Sequence, residues 1–494
     1  MPRTSPLSLV CLCMLPHLVL LCGCAAGPNY APPSVPQSQA WQTTPGVSTG
    51  QPDAAWWQKF QDPILVTYVE RAVANNQDLK AAAARVREAR AHRGMASADL
   101  WPTVKSSAGY THSLQSANAG IIATVPFAVD VDQELHQIGL DASWEIDIFG
   151  GRRRSVEAAT ARTRASVESL NDVMLSIMAE VARNYVALRG TQRQLTVAEG
   201  NSRIQADTLA VVEGKLAAKI GSELDVEQAR AQLEQTRSTI PPLRAAIRSS
   251  AYSLAVLTGE PPAAMLEELL QSHPIPVPPD VVPVGLPSDL LRRRPDLRQA
   301  ERDLHAATAD IGIATADLFP RFYLTGATSF QSINFVDLFR ANSFAWSLGP
   351  SVVWPVFQGG RIRSNIALNE AKRDEVLANY RQAVLKALKE VETSLVNYAE
   401  RQVERDRLVT SRQSQARAVQ MARAQYREGL KDFQTVLDAE RRLNEVENTL
   451  AVCETRVATE LIGLYKALGG GWEVMNSRFA APTTVDTGVL PQYP

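Results

Sequence analysis

From Arg152 to about Leu216 the chain runs without a proline, and a continuous helix of about 60 residues rises ~90 Å at 1.5 Å per residue. A single globular domain cannot enclose such a rod. Helical patterns much beyond about 25 residues point instead to a coiled coil, a membrane span or a helical repeat. In a second tract of this kind Val384, Leu388, Val391, Leu395 and Tyr398 fall at alternating steps of four and three, the seam of coiled-coil packing. Leu170, Val173, Ile177, Val181 and Leu188 give a looser version in the first. Charges between the seam positions, among them Arg381, Lys386, Lys389 and Glu390, exclude a membrane helix and form a solvated face.

The two tracts belong to a tandem repeat. Asn76-Gln77-Asp78-Leu79 leads through a helical stretch to Ala98-Asp99-Leu100-Trp101-Pro102, and Arg294-Pro295-Asp296-Leu297 leads to Ala316-Asp317-Leu318-Phe319-Pro320 at the same spacing. Trp144 to Phe149, followed by Gly150-Gly151-Arg152, answers to Trp354 to Phe357, followed by Gln358-Gly359-Gly360-Arg361. Asp225-Val226 corresponds to Thr435-Val436, and Thr258-Gly259 to Leu468-Gly469. The copies span 62–260 and 285–470, joined by a Pro-rich linker over 261–284 and followed by a tail over 471–494. Each copy predicts the order helix, strand, strand, long helix, turn, long helix.

The strands carry a different period. Ile138, Leu140, Ala142, Trp144, Ile146 and Ile148 alternate with Gly139, Asp141, Ser143, Glu145, Asp147 and Phe149, and Phe344, Trp346, Leu348, Val352 and Trp354 repeat the pattern. Segments 103–113 and 321–331 alternate less cleanly. A transmembrane β-strand of about 10 residues looks like this, and so does a hairpin packed on a soluble core. On the membrane reading Leu140, Trp144, Ile146 and Trp346 face lipid. Four strands cannot close, because small single-chain barrels start at about 8 and an open edge in hydrocarbon leaves unpaired backbone groups. A spanning chain of this kind must therefore oligomerise.

The amino terminus reads as an export signal, with Arg3, an apolar stretch from Leu7 to Leu21, and small residues after it. That stretch is shorter than the ~20 residues a membrane helix needs. Leu21-Cys22-Gly23-Cys24 resembles a bacterial lipobox, which implies removal of 1–23 and a covalent diacylglyceryl and N-acyl lipid on Cys24. Cys11, Cys13 and Cys22 leave with the signal, so only Cys453 stays free and no disulfide forms. By resemblance to lipoprotein sorting rules, Ala25 in place of Asp after the cysteine favours the outer membrane, and within the extended anchored segment 24–61 the tract Gly27 to Pro52, rich in Pro, Ser and Gln, reads as an extended tether.

The runs GLPSDLLRRRPDLRQAERDL (Gly285 to Leu304), DPILVTYVERAVANNQDL (Asp62 to Leu79) and YREGLKDFQTVLDAERRL (Tyr426 to Leu443) resemble the outer-membrane efflux lipoproteins of the TolC superfamily, over nearly the whole mature chain. The resemblance implies a mixed α and β fold. It implies a homotrimer that pools four strands per protomer into a twelve-stranded transmembrane β-barrel, continued by a long periplasmic α-helical barrel. It implies a passive exit duct for drugs or other small molecules, fed by a periplasmic adaptor (membrane fusion protein) and an inner-membrane transporter of RND type, with no cofactor. A duct for type I protein secretion shares the fold, and a lipid-anchored periplasmic coiled-coil spacer explains the helices without a pore. By the same resemblance the hairpin tips close the tube, with Asp438 as a luminal ring and Tyr426 in the closing contacts. Thr435 stands where some members carry a second aspartate. The Pro241-Pro242 level matches the girdle of the helical barrel.

Enzymatic and nucleic-acid roles find no support. His17, His92, His112, His136, His273 and His305 lack a partner at metal-ligand spacing, and no phosphate loop or nucleophile elbow is present. Lys+Arg 51 against Asp+Glu 52 leaves a net charge of -1, without the basic excess that nucleic acid demands. Gly150-Gly151 and Gly359-Gly360 are expected as strand-to-helix joints, and Pro241-Pro242 as a break or sharp kink. Arg152-Arg153-Arg154 is either a lipid-phosphate patch or a solvated helix start, and Arg292-Arg293-Arg294 has no reading beyond solvation.

Overall fold

A computed structural model of the chain describes residues 25–34, 40–41, 47–48, 50–114, 116, 131–279 and 282–479. The signal segment and Cys24 lie outside the described residues. The chain divides into two compact units, Met1–Pro33 with Val86–Ala165 and Ala300–Tyr380, and Ser34–Arg85 with Ser166–Gln299 and Arg381–Pro494.

The tandem repeat is visible in element lengths. In the first copy, after α1 (Pro63–Asn75), come α2 (Gln77–Ala98, 22 residues), β1 (Thr103–Leu114), β2 (Asp132–Ile146), α3 (Gly151–Ala217, 67 residues) and α4 (Glu223–Leu257, 35 residues). The second copy has α5 (Pro295–Ala316, 22 residues), β3 (Arg321–Ser332), β4 (Phe344–Val353), α6 (Arg361–Arg427, 67 residues) and α7 (Phe433–Ala467, 35 residues). A last helix, α8, covers Trp472–Phe479.

In the first unit the strands form one antiparallel sheet in the order β1-β2-β3-β4. Each side of the sheet takes alternate residues, and the register decides which. Leu140 lies opposite Ser106 and Thr328, and Thr328 opposite Trp346; Trp144 lies opposite Leu324, and Leu324 opposite Pro350. The even-numbered residues of all four strands therefore share one side. It carries Val104, Ile138, Leu140, Trp144, Ile146, Phe322, Leu324, Phe330, Phe344, Trp346 and Val352, while Lys105, Asp141, Ser143, Glu145, Thr325 and Ser347 take the other. Less clean alternation in β1 and β3 is thus corrected by their partners. Among the described residues β1 and β4 each pair on one edge only.

The second unit is built around the middle of α3, which is buried on several sides through Met174, Met178, Val181, Tyr185 and Leu188. Its partners include Leu65, Tyr68 and Val69 of α1, Leu461, Ile462 and Tyr465 of α7, and Trp56, Trp57 and Phe60 of a short 3-10 helix. Trp56 stacks on Tyr465 at 5.5 Å. The extended segment expected over 24–61 therefore ends in core, because two tryptophans and a phenylalanine at Trp56–Phe60 bury more apolar area than the polar residues before them can resist. On α6 the seam runs through Val384, Ala387, Val391, Leu395 and Tyr398, with Leu388 half-buried. Ala387, fully buried, takes the seam position expected of Leu388.

Both copies close in the same way. Gly259 and Gly469 end α4 and α7 with φ of +77° and +73°, the left-handed cap that glycine adopts without strain. Asn76 caps α2 through the amides of Asp78 (2.8 Å) and Leu79 (3.1 Å) and donates to the Leu257 carbonyl at 2.9 Å. Its counterpart Arg294 pairs with Asp296 and donates to the Ala467 carbonyl at 3.2 Å. Of the break or sharp kink expected at Pro241-Pro242, the break does not occur: α4 continues through both prolines. The carbonyls they leave unpaired belong to Arg237 and Ser238, which are exposed and open to water.

Candidate functional site

Three places carry the candidate site residues: the apolar sheet face, the strand-to-helix joints and the hairpin tips. On the sheet Leu140, Ile146 and Trp346 stand exposed on the apolar side, and Trp144, half-buried on that side, donates its indole N–H to the Leu100 carbonyl at 2.9 Å. Trp354 does the same to the Leu318 carbonyl at 3.1 Å. The two repeat motifs, recognised separately along the chain, are thus tied to each other in each copy. On the polar side a groove of about 640 Å³ is lined by Lys105, Asp141, Ser143, Glu145, Arg152 and Tyr323, among others.

At the first joint Gly150 has φ +78° and sits so close to Ala25 that a Cβ would lie 2.7 Å from it. Solvation holds only in part for the Arg152 run: the Arg152 and Arg153 side chains stay 36% and 40% exposed while paired, and Arg154 is buried. Arg152 pairs with Glu145 (2.8 Å) and Asp99 (3.2 Å), Arg153 pairs with Asp147, and Arg154, 4% exposed, donates to Asn29 (2.7 Å), Glu157 (2.7 Å) and the Ala26 carbonyl (3.1 Å). Carboxylates at the end of β2 pair with Arg152 and Arg153 at the surface, and the folded-back Ala26–Asn29 segment with Glu157 takes up the charge of the buried Arg154. The start of the segment expected as an extended tether is pinned here through Gly27 and Asn29. Arg293 and Arg294 have a similar role in the other unit, where Arg293 donates to the Pro52 carbonyl at 3.2 Å and Arg294 reaches Glu390 at 2.7 Å.

The tips bring Tyr426, Thr435 and Asp438 to one hairpin end. Tyr426 closes α6, while Thr435 and Asp438 occupy the first turns of α7, over a small core of Val212, Val226, Ala229, Phe433, Val436 and Leu437. The Tyr426 ring lies 5.4 Å from Phe433, and Lys215 of α3 sits 3.7 Å from its centroid and donates to its carbonyl at 3.4 Å. Burial, with the nearby Asp225 carboxylate, raises the Tyr426 phenol above its ordinary value. Asp438 is half-buried and accepts from Gln434 at 3.0 Å. Asp432 caps α7, accepting from the Thr435 hydroxyl and its amide, and those bonds hold its carboxyl below the usual range.

One residue pair at this level escapes sequence reasoning. Glu440, 6% exposed, receives Arg423 at 2.6 Å and Thr208 at 3.3 Å, linking α7 to α6 and to α3. Its signal, a glutamate on the apolar side of α7, is readable only once the helix phase is known. No group of three or more metal-ligating side chains occurs among the described residues, and no helix among them is long and apolar enough to cross a membrane.

A family model described as outer membrane efflux protein matches residues 68–260 and 286–470. The solvent efflux pump outer membrane protein SrpC of Pseudomonas putida is 30% identical over 92% of this chain and 97% of its own. SilC of Salmonella typhimurium, described as a probable outer membrane lipoprotein, is 31% identical over 92% and 97%. Among solved structures the outer-membrane channel OprN superposes with a TM-score of 0.85 at 35% identity, covering 91% of this chain and all of that one.

Proposed function

We propose, because this chain belongs to the outer membrane efflux protein family, that three copies close one twelve-stranded barrel and give solutes a passive exit across the outer membrane. The observation that carries this is the register: it gathers most of the large apolar residues of four strands onto one side and, among the described residues, leaves β1 and β4 each with one unpaired edge. Apolar area on that side is favourable only against lipid, and the open edges are satisfied only by a neighbour's strands. A periplasmic spacer would leave both without a partner. Leu140, Trp144, Ile146 and Trp346 then face hydrocarbon, and Asp141, Ser143, Glu145 and Lys105 face water inside.

The paired helices of the second unit form a periplasmic tube whose tips carry the constriction. Asp438 supplies an acidic ring, Tyr426 braces it through Phe433 and Lys215, and Thr435 holds the α7 cap. A periplasmic adaptor docks on this tube, and an inner-membrane transporter of RND type supplies the energy, so the chain performs no catalysis and needs no cofactor. Cys24 carries the acyl anchor, a reading supported by the description of SilC as a lipoprotein. The domain plan is signal 1–23, anchored segment 24–61, repeats 62–260 and 285–470 with the linker 261–284, and tail 471–494.

Purified trimers in a planar bilayer test the reading. Discrete cation-preferring conductance steps are expected. Protein that binds vesicles through its lipid yet never conducts, even after tip substitutions, would leave the spacer.

A further inference from the structure

The connection from β3 to β4 carries Ile333, Phe335, Val336 and Phe339, all large, apolar and exposed, Val336 at 84%. Clusters of this kind mark a surface with a partner. Their contacts show which way the loop leans. Phe335 meets His136 edge-on at 5.4 Å, and Tyr110 stacks on the same imidazole at 4.8 Å. Phe339 lies 5.8 Å from Phe330, which in turn lies 5.5 Å from Phe344. Tyr110, His136, Phe330 and Phe344 all belong to the apolar side of the sheet by register. The loop therefore folds over the apolar side, and Asp337 and Arg340, paired at 2.9 Å, complete the turn.

Dimensions point the same way. On β2 the apolar run from Ile146 to Ile138 covers ~26 Å of strand at ~3.3 Å per residue, and a tilt of about 40° reduces this to ~20 Å of height against a lipid-facing band of ~25 Å. The next position outward is His136, which brings the height to ~25 Å by the same estimate. An imidazole at that level is costly against hydrocarbon unless covered. Tyr110 and Phe335 pack on it, the Glu134 carboxylate lies 3.9 Å from its Nε2, and its side chain is left 19% exposed.

We propose that Phe335, Val336 and Phe339 form the outer rim of the lipid-contacting surface, seated at the acyl-chain boundary of the outer leaflet. The occupant is lipid, and the rim completes a band that the strands alone leave short. This rests on the barrel reading above.

Spin labels test it. In a Cys453→Ala background, Val336→Cys, Leu140→Cys and Ser143→Cys are labelled separately and the trimers reconstituted in phospholipid vesicles containing lipid A. Relaxation by oxygen, which concentrates in hydrocarbon, is compared with relaxation by a water-soluble nickel chelate. At Val336 oxygen is expected to dominate several-fold, as at Leu140, with the reverse at Ser143. Nickel dominance at Val336 alone overturns the rim and keeps the barrel. Strong spin-spin broadening at Val336, with neither reagent effective, also overturns it, because the three loops then meet one another at the mouth. Nickel dominance at both Val336 and Leu140 overturns the rim together with the barrel.

Discussion

Asp438 and Asp432 stand six positions apart on the same tip and do different work. Asp438 holds only Gln434, whereas Asp432 holds the first turn of α7. Asp438→Ala is therefore expected to weaken cation preference and block by trivalent cations in planar bilayers, as loss of an acidic ring does in other pores. Asp432→Asn is the matched control, since it removes charge and keeps a capping side chain. Unchanged selectivity in Asp438→Ala with trimers intact removes it from the pore. The Asp432 cap also predicts a pH response. Its folded pKa lies below its unfolded value, so its contribution is present above about pH 4, the unfolded carboxylate value, and is lost as pH falls through the lower folded one. A spin label at Gln434→Cys is expected to become mobile only below that range, and in Asp432→Asn to lose this dependence. Elsewhere, Asn76→Ala removes the α2 cap and the tie to Leu257, a loss of about 1–2 kcal/mol that thermal melting of the helical signal reads as a lower Tm.

At the scale of elements, the sheet is two faces with opposite rules. Leu140→Arg is expected to block stable insertion, because an arginine on the lipid side costs ~2–4 kcal/mol near mid-bilayer and a trimer carries it three times. Ser143→Asp, one residue along on the polar side, is expected to be tolerated. Membrane fractionation of the trimer distinguishes them, and equal behaviour of the two would mean the register is wrong. Trp144 is a less clean probe, since its indole also ties β2 to the Leu100 carbonyl. The long helices follow a second rule. Each is held by seam residues and by a few polar ties such as Arg423 to Glu440, and the left-handed glycines Gly259 and Gly469 stop the 35-residue helices in both copies.

For the whole molecule, a sheet with two open edges makes the protomer incomplete in a membrane. Native mass spectrometry from detergent is expected to give a trimer with a lipid mass increment on each chain. Cys24→Ser should remove the increment and incorporation of labelled palmitate while the trimer persists, because the strands bury the apolar area themselves. Labelling that continues in Cys24→Ser would place the anchor elsewhere.

Patterns along the chain were enough for the tandem repeat, the long helices, the strand periods at 138–149 and 344–354 and the joints at Gly150 and Gly360, because each rests on local chemistry: absence of proline, apolar spacing, glycine where φ is positive. Partners across the fold were not legible. Arg152 to Arg154 read as solvated or lipid-bound until Glu145, Asp147 and Asn29 came beside them, and Trp56, Trp57 and Phe60 read as part of an extended segment until α7 brought Tyr465 against Trp56. Likewise the mixed pattern of β1 and β3 acquired a face only from pairing with β2 and β4. Spacing in a sequence reports what one element presents; tertiary structure alone decides what it is presented to, since burial and ion pairing depend on distances between residues far apart in the chain.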